Sequence, residues 1–520
     1  MGTLEEGEIC MGLAHVRSRA LSGLDAPVVD VEVDLANGLP SFTLVGLADT
    51  EVKEARERVR AAIQNSGLNF PNNKRITVNL APADLPKDSG RFDLAIALGI
   101  LAASGQVDPQ RVAEFTILGE LSLSGRLRPV RGALATSLSM ARDGDAHALL
   151  LPTEGAAEAA WVPQVRVACA QTLLDVVTAL QTQPRPEDLA NSAWQWLESA
   201  PPQTRHSGPD MADVKGHSAA KRALEIAAAG GHSVLMVGPP GSGKSMLASR
   251  FASLMPPLNT EEALESAAIL SLMNRFDATA WGQRPLASPH HSASAAALIG
   301  GGSPPRPGAI TQAHLGALFL DELPEFNRTA LEALREPLES GEVHISRAAH
   351  HACFPARFQL IAAMNPCPCG HLGHPKKACR CTPDQVLRYQ GRLSGPLLDR
   401  VDIHIEVPAI DAAALLQDVP GEPSAPIAAR VARADQRARQ RQGHSNHLLQ
   451  GQALLEHLHI NAAAQHLSQQ AAERWQWSSR RLHRVLRVAR SIADLADSDS
   501  IDVPHVAEAL QYQRALLRGV

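Results

Sequence analysis

The sequence predicts an α/β protein in three parts: an N-terminal α/β domain over residues 11–180, a second α/β core over 211–409, and an all-helical region over 410–520. Three observations predict it. Short apolar runs alternate with helical patterns through the first two thirds of the chain; residues 182–210, "TQPRPEDLANSAWQWLESAPPQTRHSGPD", are rich in Pro, Ser and polar residues without a sustained period; and strand signals stop after "DVPGEPSAPIAAR" from Asp418. The first break predicts a linker over 181–210 with one short helix. The second precedes Arg430, Arg433, Arg437, Arg439 and Arg441.

Composition sets the class. With 45% hydrophobic residues, 20% charged and a formal net charge of −5, the chain has no bulk excess of positive charge, so contact with a polyanion must come from local basic patches. The longest apolar run, Leu94 to Ala103, is half of the ~20 residues a bilayer span needs and reads as a core helix. The start, "MGTLEEGEIC", is acidic and carries no secretory pattern. A cytoplasmic protein with no membrane partner is expected.

In the N-terminal domain, "VVDVEVDLA", "SFTLVGL", "RITVNLAP" and "FTILGELSLSGRLRPVRG" read as strands around the helix near Leu94. In the core, "HSVLMVGPPGSGKSMLASR" runs from an apolar strand, Val234 to Val237, through glycines into a helix. That context suits the pattern G-x-x-x-x-G-K-S. Backbone amides of the loop Gly238, Pro239, Pro240, Gly241, Ser242 and Gly243 and of the helix start concentrate positive potential where phosphates lie; Lys244 adds a point charge, and Ser245 a hydroxyl for magnesium. ATP and Mg2+ are therefore the expected cofactors.

Further along, "GALFLDELPEF" is a second apolar strand ending in Asp321 and Glu322. Beside a phosphate loop, Asp321 is suited to hold the magnesium and Glu322 to polarise the attacking water. A third strand, Phe358 to Ala363 in "ARFQLIAAMNP", is followed by Asn365, which either orients that water or simply forms the turn before Pro366. Three strands ending in such groups describe a parallel sheet whose C-terminal edge is the site.

Four of the seven cysteines stand in "MNPCPCGHLGHPKKACRC": Cys367, Cys369, Cys379 and Cys381. Two C-x-C pairs with a Gly-, Pro- and Lys-rich reversal between them can surround one zinc ion. Reduced unligated thiols and a redox pair are the alternatives, and His371 and His374 are substitute ligands.

These motifs carry a resemblance. Gly238–Ser245, Asp321-Glu322, Asn365 and "RLSGPLLDRVDIHIEV" look like an AAA+ ATPase of the helix-2-insert group. "VKGHSAAKRALEIAAAGGHSVLMVGPPGSGKSMLA", "SPHHSASAAALIGGG" and "MNPCPCG" resemble the YifB/ComM family of magnesium-chelatase-like ATPases, from Met11 to the end, with residues 1–10 outside it. The resemblance implies that Arg400 is an arginine finger offered to a neighbouring subunit and that Arg480, beside Arg481, is the sensor-2 arginine of a helical lid. "PKDSGRFDLAIALGIL" and "GELSLSGRLRPVRGALA" are similar to the Lon protease domain, a fold like ribosomal S5 domain 2. Arg91 stands where that family has its nucleophilic serine and Leu134 where it has its lysine, so neither attack nor proton acceptance is available there. Ser89 nearby reads as a turn residue rather than a displaced nucleophile.

In such ATPases the segments "SPHHSASAAALIGGGSPPRPGAI" and "GEVHISRAAHHACFPA" line a central channel. His290, His291, Arg306, Lys376 and Lys377 are either phosphate contacts there or solvated loop residues. Aromatic residues make up only 3% of the chain, which argues for backbone tracking over base stacking. Two functions follow from the resemblance: a homo-hexameric ring that drives branch migration of branched or single-stranded DNA in natural transformation, or a chelatase-like ATPase remodelling a protein partner. A Lon-like domain and a cysteine insertion on one chain favour the first, on the expectation that the chelatase motor subunit resembles only the core.

Overall fold

The computed structural model describes residues 12–45, 50–83, 85, 87, 90–182, 185–201, 208–302, 305–347, 350–374, 376–409 and 421–513. The N-terminal domain is an eight-stranded mixed sheet in the spatial order Gln195–Leu197, Val167–Ala170, Ala148–Pro152, Phe115–Ile117, Leu13–Arg19, Val28–Asn37, Lys74–Ala81, Ser41–Val45. Antiparallel pairing joins Leu13–Arg19 to Val28–Asn37 and that strand to Lys74–Ala81, while Phe115–Ile117, Ala148–Pro152 and Val167–Ala170 run parallel. Burial follows this division. Val29, Val31 and Val33 are buried in alternation with Asp30, Glu32 and Asp34, as a sheet covered on one face requires, whereas the three parallel strands are buried at every residue.

The apolar run near Leu94 is a helix, Asp93–Ala103, packed on one face of the sheet. On the other face the helices Ala133–Asp143 and Thr153–Ala159 bury Leu149, Leu151, Val167 and Cys169. That second cluster continues into the core: Ala263, Leu264, Ala267, Ala268 and Leu272 of the helix Thr260–Leu272 belong to it, with Trp161 against Trp281 at 5.3 Å. Arg131 donates to the Leu272 carbonyl at 2.9 Å and Ser271 to Glu158 at 2.7 Å across the same boundary.

The expected linker differs from its prediction. It contains the short helix Pro186–Ala190, but Gln195–Leu197 pairs antiparallel with Val167–Ala170 as an edge strand. The reason is aromatic: Trp194 meets Phe115 edge-on at 5.7 Å and Trp196 stacks on it at 5.7 Å, ring contacts that a solvated linker lacks.

The core sheet has five parallel strands in the order Leu286–Ala287, Ala317–Leu320, Gln359–Met364, Val234–Val237, Ile403–Glu406. The third strand therefore lies one residue later than Phe358–Ala363. The described elements after residue 421 are helices: Ser424–Gln442, Asn446–Leu448, Gly451–His457, Ala462–Arg474, Ser479–Leu495 and Val503–Gln511. Ile427, Val431 and Ala434 form a stripe at helical spacing that joins Val234, Met236 and Ile403 of the sheet in one core. Four of the five arginines of Ser424–Gln442 serve internal pairing: Arg430 with Glu225 and Glu422, Arg437 with Asp499, Arg439 with Asp435, and Arg441 with Asp494.

Candidate active site

Gly238 follows the strand Val234–Val237 directly, and a Cβ there would lie 2.2 Å from the Val407 carbonyl oxygen, so only glycine fits. Its N–H donates to the Met364 carbonyl at 3.2 Å, tying the loop to the neighbouring strand. Lys244 opens the helix Lys244–Phe251 and donates to the carbonyls of Gly238 at 2.8 Å and Pro239 at 2.9 Å and to Asn365 Oδ1 at 3.3 Å. Those partners are neutral. Burial pulls the ammonium below the ordinary lysine range, opposed by Asp321 and Glu322, which leaves a desolvated cation beside a helix N-terminus: a cradle for anionic oxygens.

Ser245 donates its hydroxyl to Asp321 Oδ2 at 2.5 Å, so the two hard oxygen donors expected at magnesium are in contact. The Glu322 N–H bonds Asp321 Oδ1 at 2.9 Å, and Glu322 sits in the left-handed region at φ 52°, a conformation that costs a non-glycine residue about 1 kcal/mol or more. Its exposed carboxylate lies 3.0 Å from His291 Nδ1. His291 was expected either to contact phosphates in a channel or to be a solvated loop residue; its pairing with Glu322 is one that no local spacing signals. Asn365 stands just past the end of the strand Gln359–Met364, half-buried against Lys244, and its backbone meets the Tyr389 side chain.

Lys244, Ser245, Asp321, Glu322 and Asn365 thus converge at the carboxyl edge of the sheet. Arg400 and Arg480 do not join them. Both line a separate cavity of about 830 Å3, with Arg284, Arg357, Arg484 and Arg487, to which none of the residues 238–245, 321, 322 or 365 contributes. Arg400 donates to the Pro396 carbonyl at 2.6 Å and pairs with Glu339. The two neighbouring arginines differ in setting: Arg481 lies over the Trp477 ring at 5.1 Å and donates to the Gln513 carbonyl, while Arg480 is exposed.

The four cysteine sulfurs of residues 367, 369, 379 and 381 lie within 4.8 Å of one another. Cys367 is 3.5 Å from Cys369 and 3.7 Å from Cys379, and Cys369 is 3.6 Å from Cys379. This set can hold a metal ion. His371 and His374 are outside it; His374 Nδ1 instead accepts from the backbone of Lys376 and Lys377. His290, Arg306, Lys376 and Lys377 are exposed.

In the N-terminal domain Arg91 is buried and donates to the Arg131 carbonyl at 2.9 Å, and Leu134 is fully buried. Ser89 lies outside the described residues. Asp93 is buried beside Arg58, whose Nε donates to it at 2.8 Å; burial outweighs that pairing and pushes the carboxyl up to about 6.

Residues 210–415 match the family described as magnesium chelatase, subunit ChlI; residues 31–155 match subunit ChlI of Mg-chelatase; and residues 421–513 match the ChlI C-terminal family. The chain is 47% identical over 510 residues to the competence protein ComM of Haemophilus influenzae, covering 98% of each. It is 46% identical over 510 residues to YifB of Salmonella typhimurium, covering 97% of each. At greater distance it is 25% identical over 168 residues, 31% of this chain, to the Lon protease of Mycoplasma mycoides. The N-terminal match carries the chelatase description too, which corrects the expectation that chelatase likeness would stop at the core. A five-stranded parallel sheet with a phosphate loop at its edge, a helical C-terminal region and near-full-length likeness to YifB and ComM place the chain in the YifB/ComM family of magnesium-chelatase-like AAA+ ATPases.

Proposed function

We propose that the chain forms a homo-hexameric ring in the cytoplasm and couples ATP hydrolysis to movement on branched DNA. One observation carries the assembly: the residues suited to bind ATP and polarise water lie together, while Arg400 and Arg480 share another cavity, so a complete site needs the arginines of a second copy. In that site Lys244 and the loop amides hold phosphates, Ser245 and Asp321 hold Mg2+, Glu322 polarises the water that Asn365 orients, and the neighbour's counterparts of Arg400 and Arg480 offset developing charge. The magnesium ion neutralises phosphate charge when bound. Four thiolates at residues 367, 369, 379 and 381 hold zinc as a structural group. Likeness to a competence protein and the exposed His290, Arg306, Lys376 and Lys377 support DNA as the substrate. Among the described residues no helix is long and apolar enough to cross a membrane.

The second reading, a chelatase-like ATPase acting on a protein partner, is favoured by the chelatase description on all three family matches. The ATPase rate without DNA and with linear, forked and four-way DNA separates the two. Faster hydrolysis on forked or four-way DNA, with junction movement only when ATP is hydrolysable, is the expected result. Branched DNA that neither binds nor stimulates at low salt would transfer the assignment to the protein-remodelling reading.

A further inference from the structure

We propose that the zinc ion on the four cysteines braces the phosphate loop, so that metal binding and nucleotide binding are coupled. The proposal rests on the nucleotide-binding reading of residues 238–245. The donor set comes first. Four thiolates suit zinc over hard cations, and a tetrahedral Zn–S4 centre with bonds of about 2.3 Å has edges of about 3.8 Å. The sulfur separations of 3.5, 3.6 and 3.7 Å approach that edge and far exceed the ~2.05 Å of a disulfide. Backbone groups support the sulfurs: the Leu372 N–H lies 3.4 Å from Cys367 Sγ, and the backbone of His371 and Arg380 bonds Cys369.

The segment between the two cysteine pairs has no apolar core of its own. Of the described residues 368–381 only Gly370 is buried, so order there depends on a cross-link. What Gly370 is buried against is Pro240. A Cβ on Gly370 would fall 2.4 Å from Pro240 Cδ and 2.7 Å from Cγ, which places the knuckle backbone flat on the third residue of the phosphate loop. The turn that delivers it is closed by the Gly370 N–H on the Cys367 carbonyl at 2.9 Å.

Two further ties join the same segment to the loop: Gly238 N–H to the Met364 carbonyl at 3.2 Å, and Lys244 to Asn365 at 3.3 Å. On the far side, Gln390 of the helix Pro383–Gln390, which follows Cys381, donates to the Pro366 carbonyl at 3.0 Å. One ion therefore fixes both ends of a fifteen-residue loop whose base is the floor of the phosphate cradle. Removing it releases that loop, and a floor that must be ordered on binding costs affinity. Coupling of this kind is reciprocal, so nucleotide must also hold the metal.

The test uses the full chain, metal analysis, and mant-ADP binding before and after zinc is stripped by a chelator. One zinc per chain, mant-ADP affinity weakened about fivefold or more on stripping and restored by zinc chloride, and slower zinc loss in the presence of ADP are expected. Gly370→Ala against Gly373→Ala isolates the contact, because both glycines are left-handed, at φ 78° and 75°, yet a Cβ on Gly373 meets nothing within 4 Å. Gly370→Ala should retain zinc and lose nucleotide affinity; Gly373→Ala should retain both. Absence of stoichiometric zinc overturns the proposal, as does unchanged mant-ADP affinity in stripped protein that keeps its circular dichroism, or equal affinities for the two alanine variants. If stripping unfolds the chain, the two glycine variants decide. Untreated protein that binds zinc but no nucleotide would overturn the phosphate-loop reading instead.

Discussion

At the scale of single residues, the proposed chemistry rests on a few polar side chains with defined partners. Lys244→Ala removes the buried cation from a cradle that has no other ammonium among its contacts, and should abolish nucleotide binding in a filter or fluorescence assay. Glu322→Gln keeps the Ser245–Asp321 pair and should bind nucleotide normally while turnover falls by about 10²-fold or more. Normal hydrolysis by this variant would remove Glu322 from its role. These residues were legible because each closes an apolar strand or opens a helix within one short motif. The His291–Glu322 contact was not, since it joins two segments that only tertiary folding brings together; nor was the different setting of Arg480 and Arg481, which depends on where Trp477 stands.

At the scale of elements, the helix Ser479–Leu495 and the segment bearing Arg400 are fastened together. Arg484 donates to the carbonyls of Val401 at 3.0 Å and Leu398 at 3.4 Å and pairs with Asp399 at 3.1 Å, while Arg487 lies 3.5 Å from Asp402. Arg484→Ala should therefore lower hydrolysis several-fold through a misplaced Arg400, with nucleotide affinity unchanged because no phosphate-loop residue touches it. Asp402 is the buried acidic member of this joint. Burial alone would raise its carboxyl, but His232, Arg487 and Arg484 outweigh it and hold it well below the usual range. A depressed pKa stabilises the fold above the unfolded value of about 3.9 and loses that contribution as pH falls through the folded value. Asp402→Asn should thus be less stable than the parent chain in urea at pH 7, with the gap narrowing below about pH 4. A gap independent of pH would show that Asp402 acts by shape alone. The helix Asp93–Ala103 was readable as an unbroken apolar run, and the helical nature of Ser424–Gln442 from the end of strand signals; the edge strand Gln195–Leu197 was not, because its partner is a strand 28 residues upstream and its signal is three aromatic side chains.

For the whole molecule, the separation of the arginine cavity from the phosphate loop makes a prediction about mixtures. Arg400→Ala chains should bind ATP yet lose hydrolysis, and regain part of it when mixed with Glu322→Gln chains, because an interface between the two types unites an intact Glu322 with an intact Arg400. Full activity of Arg400→Ala alone would rule out the shared site. DNA binding, carried by phosphates rather than bases, should fall steeply with salt and vary little with sequence, measured as the slope of log affinity against log salt.

The continuous apolar seam between the N-terminal sheet and the helix Thr260–Leu272 bears on how such a ring would work. A domain hung on a supple tether samples space independently of the engine beneath it; one welded along Ala263, Leu264, Ala267 and Leu272 has no such freedom. Its swing is the swing of the wall it is fused to. In the proposed hexamer, six of these domains would open and close together like the jaws of a collet, turning a small tilt at each nucleotide into a change in the width of the bore.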